Sequence, residues 1–425
     1  MPAERAYEVL VIGAGPAGIA AACCASESGA HVGMLDDNPA PGGQIWRGES
    51  ARPKNPEAAR WLRRIRETQV TIESGAQVVS QPAPGALSVE AEGRLREIEY
   101  KKLIVATGAR ERFLPFPGWT LPNVMGAGGL QALVKGGLPI AGKKVAIAGT
   151  GPLLLAVGEY LHRRGARVEL IAEQAPLRRL IPFGAGLLSE PAKALQALKL
   201  KWELRGIPYI TGCWPVAAQG REKLDAVTLR SAKKTWQLSC DYLACGFGLV
   251  PNIELVSVLG CETRNGAVKV DQWQQTTVPG VYAAGEATGI GGLDLSLVEG
   301  QIAGYAAAGK TADAEALLRT RGRALRFQQA MERAFSLREE LKQLPDAGSL
   351  VCRCEDVPFR KLQGHDSWRS AKLQTRCGMG PCQGRICGPA VEFLFGWQFG
   401  SVRPPIFPTS FSDAAGRREP GAESA

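Results

Sequence analysis

Five of the chain's eleven cysteines fall between residues 352 and 387. "VCRCEDV" at 351–357 supplies Cys352 and Cys354. "RCGMGPCQGRICG" at 376–388 supplies Cys377, Cys382 and Cys387. Thiols at this density suit metal binding or redox chemistry, and an iron–sulfur cluster needs thiolate ligands on both irons. Cys352 and Cys354 bracket Arg353. In an extended segment, positions i and i+2 point the same way, so both sulfurs can face one centre. Cys377 and Cys382 flank the turn-forming "GMGP". The two pairs make a four-thiolate set, Cys352, Cys354, Cys377 and Cys382, that suits [2Fe–2S]. Zinc is the alternative metal, although its structural sites more often take pairs spaced Cys-x(2–4)-Cys. Plain core packing is the third reading. Cys387 is left over, either a substitute for Cys382 or a buried structural thiol.

A second chemistry is written in glycine. "YEVLVIGAGPAGIAAACCASESGAHVGMLDD" reads as a buried strand, the turn Gly13-Ala14-Gly15-Pro16-Ala17-Gly18, an Ala-rich helix and a strand ending at Asp36. Gly13 permits the tight turn, Gly15 lets main chain approach a pyrophosphate, and Gly18 lets the helix pack on its strand. The helix start offers free N–H groups to phosphates, and Asp36 can accept from a ribose. Cys23 and Cys24 on the helix read as small core residues. Residues 143–173 repeat the pattern with Gly149, Gly151 and an acid at Glu173. There Leu154 stands in place of the third glycine, so that helix must sit further out or be offset. This second unit either binds a nucleotide or is a retained scaffold.

The elements that carry these motifs divide the chain. At 425 residues two or three domains are expected. Hydrophobic content of 45% and charged content of 22% are those of a globular protein. The net charge of +10 admits anionic ligands, but no Lys/Arg block or basic-aromatic repeat points to nucleic acid. The N-terminal residues run almost directly into a strand without the pattern of a secretory signal, and no apolar run is long enough for a membrane helix. A reducing, cytoplasmic setting is therefore expected, peripheral to a membrane only through partners. There, cysteines serve as core fillers, ligands or redox groups. The three histidines, His31, His162 and His365, form no recognisable catalytic constellation, and no catalytic residue is assigned. Residues 311–344 read as a linker helix with alternating charge and one apolar stripe. "PDAG" at 345–348 marks a boundary, and the last residues read as a polar tail.

Strands ending at "ATG" (106–108), "CGFG" (245–248) and "AAGEA" (283–287) complete the two units. Together these motifs resemble the two-dinucleotide-binding flavoproteins over residues 5–310. The resemblance implies an α/β fold with two Rossmann-like units. An FAD-binding domain at 1–140 and 245–310 is interrupted by an NAD-type domain at 141–244. It implies that Gly13, Gly15, Pro16, Ala17 and Gly18 lie along the FAD pyrophosphate and that Asp36 meets the adenosine ribose. Gly42, Gly43 and Gln44 of "PGGQIWR" would pass near the flavin side. Ala106, Thr107 and Gly108 would line the groove, with Gly285 and Glu286 beside the ribityl chain. The usual acid at this last place is Asp, so the reach of Glu286 differs. Disulfide-reducing members carry a Cys pair in the "PGG" region or in the second unit. "PGGQIWRGES" has none, and Cys213, Cys240, Cys245 and Cys261 form no Cys-x-x-Cys.

The cysteine motif resembles the [2Fe–2S]-binding domain of bacterioferritin-associated ferredoxin, here at 345–400 and followed by a tail at 401–425. The whole chain, over about residues 5–400, is similar to the α (A) subunits of dye-linked amino-acid and opine dehydrogenases. That group includes opine oxidase, D-hydroxyproline and proline dehydrogenases and hydrogen cyanide synthase. The resemblance implies an electron-transferring subunit binding FAD and [2Fe–2S]. FMN sits at a subunit interface in some relatives, and NAD or an adenine nucleotide in the α subunit of others. It implies an FAD-containing, amino-acid-oxidase-like β subunit that oxidises the C–N bond, with a small third subunit in some complexes, and an external electron acceptor. The competing readings are a stand-alone NAD(P)H:acceptor flavoprotein reductase and a non-catalytic scaffold holding zinc and nucleotide.

Overall fold

The computed structural model describes residues 5–51, 53–398 and 402–409. It divides into two compact units, residues 1–109, 251–325 and 401–425, and residues 110–250 and 326–400.

The first unit is built on a sheet of seven strands among the described residues, in the order Thr71–Ser74, Val32–Asp36, Arg5–Ile12, Arg94–Val105, Ala86–Ala91, Gln77–Ala83, with Val281–Ala283 also paired to Arg94–Val105. The strands flanking the first glycine turn are parallel, with Val11 opposite Met34 on one side and Ile104 on the other. Where they meet, residues 9–12, 32–35 and 103–105 are buried, and these stretches carry no charge, as central parallel strands do. The helix Pro16–Glu27 packs against the helix Leu293–Ala307, and almost no side chain separates them. A Cβ on Gly300 would collide with the Ala17 carbonyl, and one on Gly304 with the Ala21 carbonyl. Both helices are apolar nearly all round because each is covered on more than one side. Residues 402–409 return to this unit, where Ile406 N–H donates to the Val79 carbonyl (2.8 Å). The rest of the expected tail, 410–425, lies outside the described residues.

The second unit holds a parallel five-stranded sheet, Tyr209–Thr211, Arg167–Glu173, Lys144–Gly149, Tyr242–Gly246, Val124–Gly126, and a three-stranded antiparallel sheet of Cys213–Gln219, Ala226–Ser231 and Thr235–Ser239. Residues 110–140, grouped by sequence with the FAD domain, pack in this unit. Strand Val124–Gly126 pairs with Tyr242–Gly246, and Leu130 and Val134 enter the core around Ile147. The cysteine-bearing segment belongs to the same unit. Its hairpin Leu350–Cys352/Val357–Pro358 and helices Trp368–Thr375 and Cys387–Phe395 enclose a small core of Val351, Leu362, Trp368 and Val391. Trp119 Nε1 donates to the Leu350 carbonyl (2.6 Å), and Arg110 Nε to the Arg385 carbonyl (3.0 Å). The expected linker at 311–344 is helical over Thr311–Ala316 and Leu318–Phe335, then turns at Glu339–Gln343.

Gly300→Ala forces the two apolar helices of the first unit apart. We expect a lower urea midpoint, equivalent to about 1–3 kcal/mol of overpacking. A midpoint equal to wild type would contradict the close approach.

Candidate cofactor sites

In the first glycine turn each residue has a steric assignment. A Cβ on Gly13 would collide with the Ala106 carbonyl, and one on Gly18 with the Gly13 carbonyl, while Gly15 faces open space. Gly13 (φ +103°) is in a region that side chains disfavour. Helix Pro16–Glu27 begins at Gly15 with no side-chain cap, so its first N–H groups remain available. The "PGG" loop lies directly against this turn. Gly42 N–H donates to the Ala14 carbonyl (2.8 Å), and a Cβ on Gly43 would stand 2.9 Å from Gly15 Cα. Asp36 is nearly buried; one carboxylate oxygen accepts from Ala14 N–H and the other from Asn38 N–H (2.7 Å) and Nδ2 (2.8 Å). Arg47 Nη2 donates to Asn38 Oδ1 (3.0 Å) and to Gln44 Oε1 (3.1 Å). Sequence reasoning missed Arg47 and Asn38, which bring a cation and an amide to the acid end of the turn. It also missed Asn252, which braces the "ATG" segment. Its Nδ2 donates to the Thr107 carbonyl (2.9 Å), its N–H to the Gly108 carbonyl (2.9 Å), and its carbonyl accepts from Thr107 Oγ1 (2.7 Å).

Gly285 and Glu286 close the same unit. Gly285 (φ +73°) touches Ala17 of the first helix, where a side chain would not fit. Glu286 Oε1 accepts from Gly292 N–H (2.9 Å), but its Oε2 is buried and has no partner among the described residues. Burial pushes its carboxyl up to about 7, against the Gly292 hydrogen bond and with help from nearby Glu299. A buried acceptor without a donor is costly unless a ligand supplies one. Glu299, also buried, accepts from Gly285 N–H (3.1 Å), Thr288 Oγ1 (2.7 Å) and Arg321 Nε (3.2 Å).

The second glycine turn is built differently. Gly149 is pressed against Gly246, and Gly151 takes φ +96° where Gly15 takes −76°. Leu154 is fully buried, and its methyl group lies against Gly246, which has no side chain to oppose it. The helix is thus accommodated by a glycine at the end of a neighbouring strand. Glu173 is fully buried: Oε1 lies 2.9 Å from Thr150 Oγ1 and accepts from Ala175 N–H (2.7 Å), and Oε2 accepts from Gly151 N–H (2.8 Å). Burial pushes its carboxyl up to about 7 despite these bonds.

The cysteines form a trio and a pair. Cys352, Cys377 and Cys387 are buried, with sulfurs within 4.8 Å of one another. Cys387, set aside in the sequence reading, is one of the three; it begins the helix Cys387–Phe395. Cys354 is exposed and interacts with Cys382, which is half-buried. The i, i+2 argument fails locally, because Arg353–Asp356 is a turn and Cys354 leaves the strand that holds Cys352. A Cβ on Gly380 would collide with Cys354 Cβ, so the "GMGP" loop closes over this turn only with glycine there. Hydrogen bonds from the Cys377 and Cys387 thiols hold the Cys352 thiol far below the usual range. The other cysteines are of another kind. Burial pushes the thiols of Cys23 and Cys240 up to about 12, and those of Cys24 and Cys213 up to about 11. Such thiols are poor nucleophiles. His31 packs against the Tyr7 ring, and His365 bonds Ser370.

The family model described as pyridine nucleotide-disulphide oxidoreductase matches residues 7–312. The chain belongs to this family. It is 32% identical to the opine oxidase A subunit of Rhizobium meliloti, over 97% of this chain and 99% of that protein. It is 31% identical to hydrogen cyanide synthase subunit HcnB of Pseudomonas protegens, over 89% of each. Among solved structures it shares its fold with L-proline dehydrogenase from P. horikoshii, with a TM-score of 0.66, 20% identity, and coverage of 97% of this chain and 80% of that one. Thioredoxin reductase of T. acidophilum shares the fold over 73% of this chain, with a TM-score of 0.57 and 21% identity. The chain is an oxidoreductase of flavoprotein fold. Among the described residues, no helix is long and apolar enough to cross a membrane.

Glu286 yields a pH test in the cofactor-free chain. Its folded value, about 7, lies above the ordinary 4.5. The stability this group contributes is full below about pH 4.5 and is lost as pH rises through about 7. Glu286→Gln stays neutral throughout. Above pH 7 it should be more stable than wild type by about 3 kcal/mol, seen as a higher unfolding temperature, with the difference vanishing below pH 4.5. Parallel melting curves at every pH would contradict the assignment.

Proposed function

We propose that this chain is the electron-relaying flavin and iron–sulfur subunit of a heteromeric dehydrogenase, with the oxidised C–N bond of an amino acid, imino acid or opine held on a partner subunit. The observation that carries this reading is the pairing, in one chain, of an open dinucleotide turn with a buried trio of thiols and a second thiol pair. The open Gly15 backbone, Asp36, and the partnerless Glu286 oxygen fit an FAD whose pyrophosphate lies on the helix start and whose hydroxyls supply the missing donors. When bound, the flavin accepts two electrons together and can release them singly. The chain's own part is to orient that group, withhold water and supply acceptors at Asp36 and Glu286.

The all-sulfur donor set fits a [2Fe–2S] cluster, with Cys354 and Cys382 on the outer side and two of the buried trio on the inner side. This arrangement leaves one thiol of the trio in reserve, and we take Cys377 and Cys387, both beside Cys352, as the interchangeable pair. Cys354→Ser and Cys382→Ser should each abolish bound iron and acid-labile sulfide. Cys377→Ala and Cys387→Ala should each retain them, and the double variant should lose them. Loss of the cluster from both single variants would refute the reserve.

Support for a heteromer comes from the relatives, which are named as subunits, and from an exposed apolar surface. No residue of the helices Leu177–Gly186 and Pro191–Glu203 is buried. Leu188, Leu195, Leu198 and Trp202 are each more than 60% exposed. Arg178, Lys199 and Lys201 stand among them, so the fitting partner is a protein surface with an apolar centre and an acidic rim. With Leu198→Asp and Trp202→Asp together, the chain should co-purify with its co-expressed partner roughly tenfold less. Unchanged recovery would place the interface elsewhere. Turnover of an imino acid or opine by the chain alone would overturn the division of labour.

A further inference from the structure

A dinucleotide fold receives its adenosine and pyrophosphate at the turn after its first strand and at the end of its second. In the second unit those places are the turn Gly149–Gly151 and residues 173–176. Both are engaged by main chain from far downstream. The Thr150 hydroxyl lies 3.1 Å from the Phe335 carbonyl and accepts from Gln174 Nε2 (2.9 Å). Gln174 Nε2 also donates to the Ser336 carbonyl (3.2 Å), while its Oε1 accepts from Arg338 N–H (3.2 Å). Arg179 Nη1 donates to the Ser336 carbonyl (3.1 Å) and Oγ (2.9 Å). Phe335 stands edge-on to Phe183, with centroids 5.3 Å apart, and the Arg338 guanidinium covers the Trp214 ring at 4.4 Å.

Access decides the matter. A ribose diol must reach the acid at the end of the second strand, yet Glu173 and Gln174 are both 0% exposed and Thr150 is 7% exposed. What separates this edge from the first fold is its cover: main chain of Phe335, Ser336 and Arg338 lies on Thr150 and Gln174. The segment then continues into Leu341 and Leu344, which are buried in the core of this unit, and on to the cysteine hairpin.

We infer that the second dinucleotide fold holds no nucleotide, and that its nucleotide-binding edge serves instead as a clamp on Phe335–Arg338, fixing the segment that leads to the cysteines. Gly149, Gly151 and Glu173, expected from sequence at a nucleotide, shape that clamp. A dissociable nicotinamide therefore does not deliver electrons through this fold. The reductant must reach the chain through protein-bound groups, from a dehydrogenation carried out elsewhere. The clamp stands independently of the functional reading; only this statement about the electron source rests on it.

The experiment uses the full chain as purified. Photolabelling with an 8-azidoadenine analogue of NAD and with 8-azido-ADP, at millimolar concentration, is followed by peptide mapping and by hydrogen exchange at residues 333–340. The inference expects no label within 144–180 and no change in exchange on adding NADH or ADP. Label confined to the turn at 13–43 also agrees with it, and would instead mean that the first fold lacks FAD, which tests the functional reading separately. Gln174→Ala with Arg179→Ala should speed exchange at 335–338 roughly tenfold or more, as lost hydrogen bonds free the segment. Label within 144–180, or nucleotide-induced opening of 335–338 in the wild-type chain, would overturn the inference whatever the variant does. So would unchanged exchange in a folded double variant.

Discussion

Main chain meeting main chain at contact distance is the constraint on which the first unit depends. Gly18 lets the helix Pro16–Glu27 rest on the Gly13 carbonyl, and Gly300 and Gly304 let a second helix rest on the first. The same approach brings Gly43 against Gly15 and Gly285 against Ala17. Four segments distant in sequence thereby converge on one helix start whose N–H groups are uncapped. Small residues allow this approach, and it leaves an uncapped helix start bordered by Asp36 and Glu286. The partnerless oxygen of Glu286 is the exposed cost of that arrangement, and it points to what the edge is built to hold.

The second unit applies the same grammar to a different end. Its turn has glycines and an acid, but Gly151 takes φ +96° where Gly15 takes −76°, and main chain of Phe335–Arg338 lies on Thr150 and Gln174. In the clamp we infer, the edge that a nucleotide would take is covered by the chain's own downstream segment. The segment leads on to the thiol-bearing hairpin, where Trp119 donates to the Leu350 carbonyl and Arg110 to the Arg385 carbonyl.

Much of this was legible in the sequence because it is local. Strand, glycine turn, helix and terminal acid follow one another within thirty-odd residues in both units, and the membership of the family follows from them. The rest depended on partners far along the chain. Leu154 announced an altered helix, but the glycine that accommodates it, Gly246, lies on another strand. The residues after 333 read as solvated linker because their partners, Thr150 and Gln174, are more than 150 residues away. Among the thiols, spacing favoured Cys382 over Cys387. The turn at Arg353–Asp356 reversed part of that logic by carrying Cys354 outward and leaving Cys387 beside Cys352. Arg47, Asn38 and Asn252 carried no motif at all and were visible only once the loops had closed.

The central claim is that the chain carries electrons from a flavin to a one-electron cluster. It is tested most directly by anaerobic reductive titration of the purified chain, followed by visible absorption and electron paramagnetic resonance. The account predicts that flavin absorption bleaches and that a signal of a reduced [2Fe–2S] centre grows in, integrating to about one spin per chain. A colourless protein that carries zinc and stays silent through full reduction would contradict it.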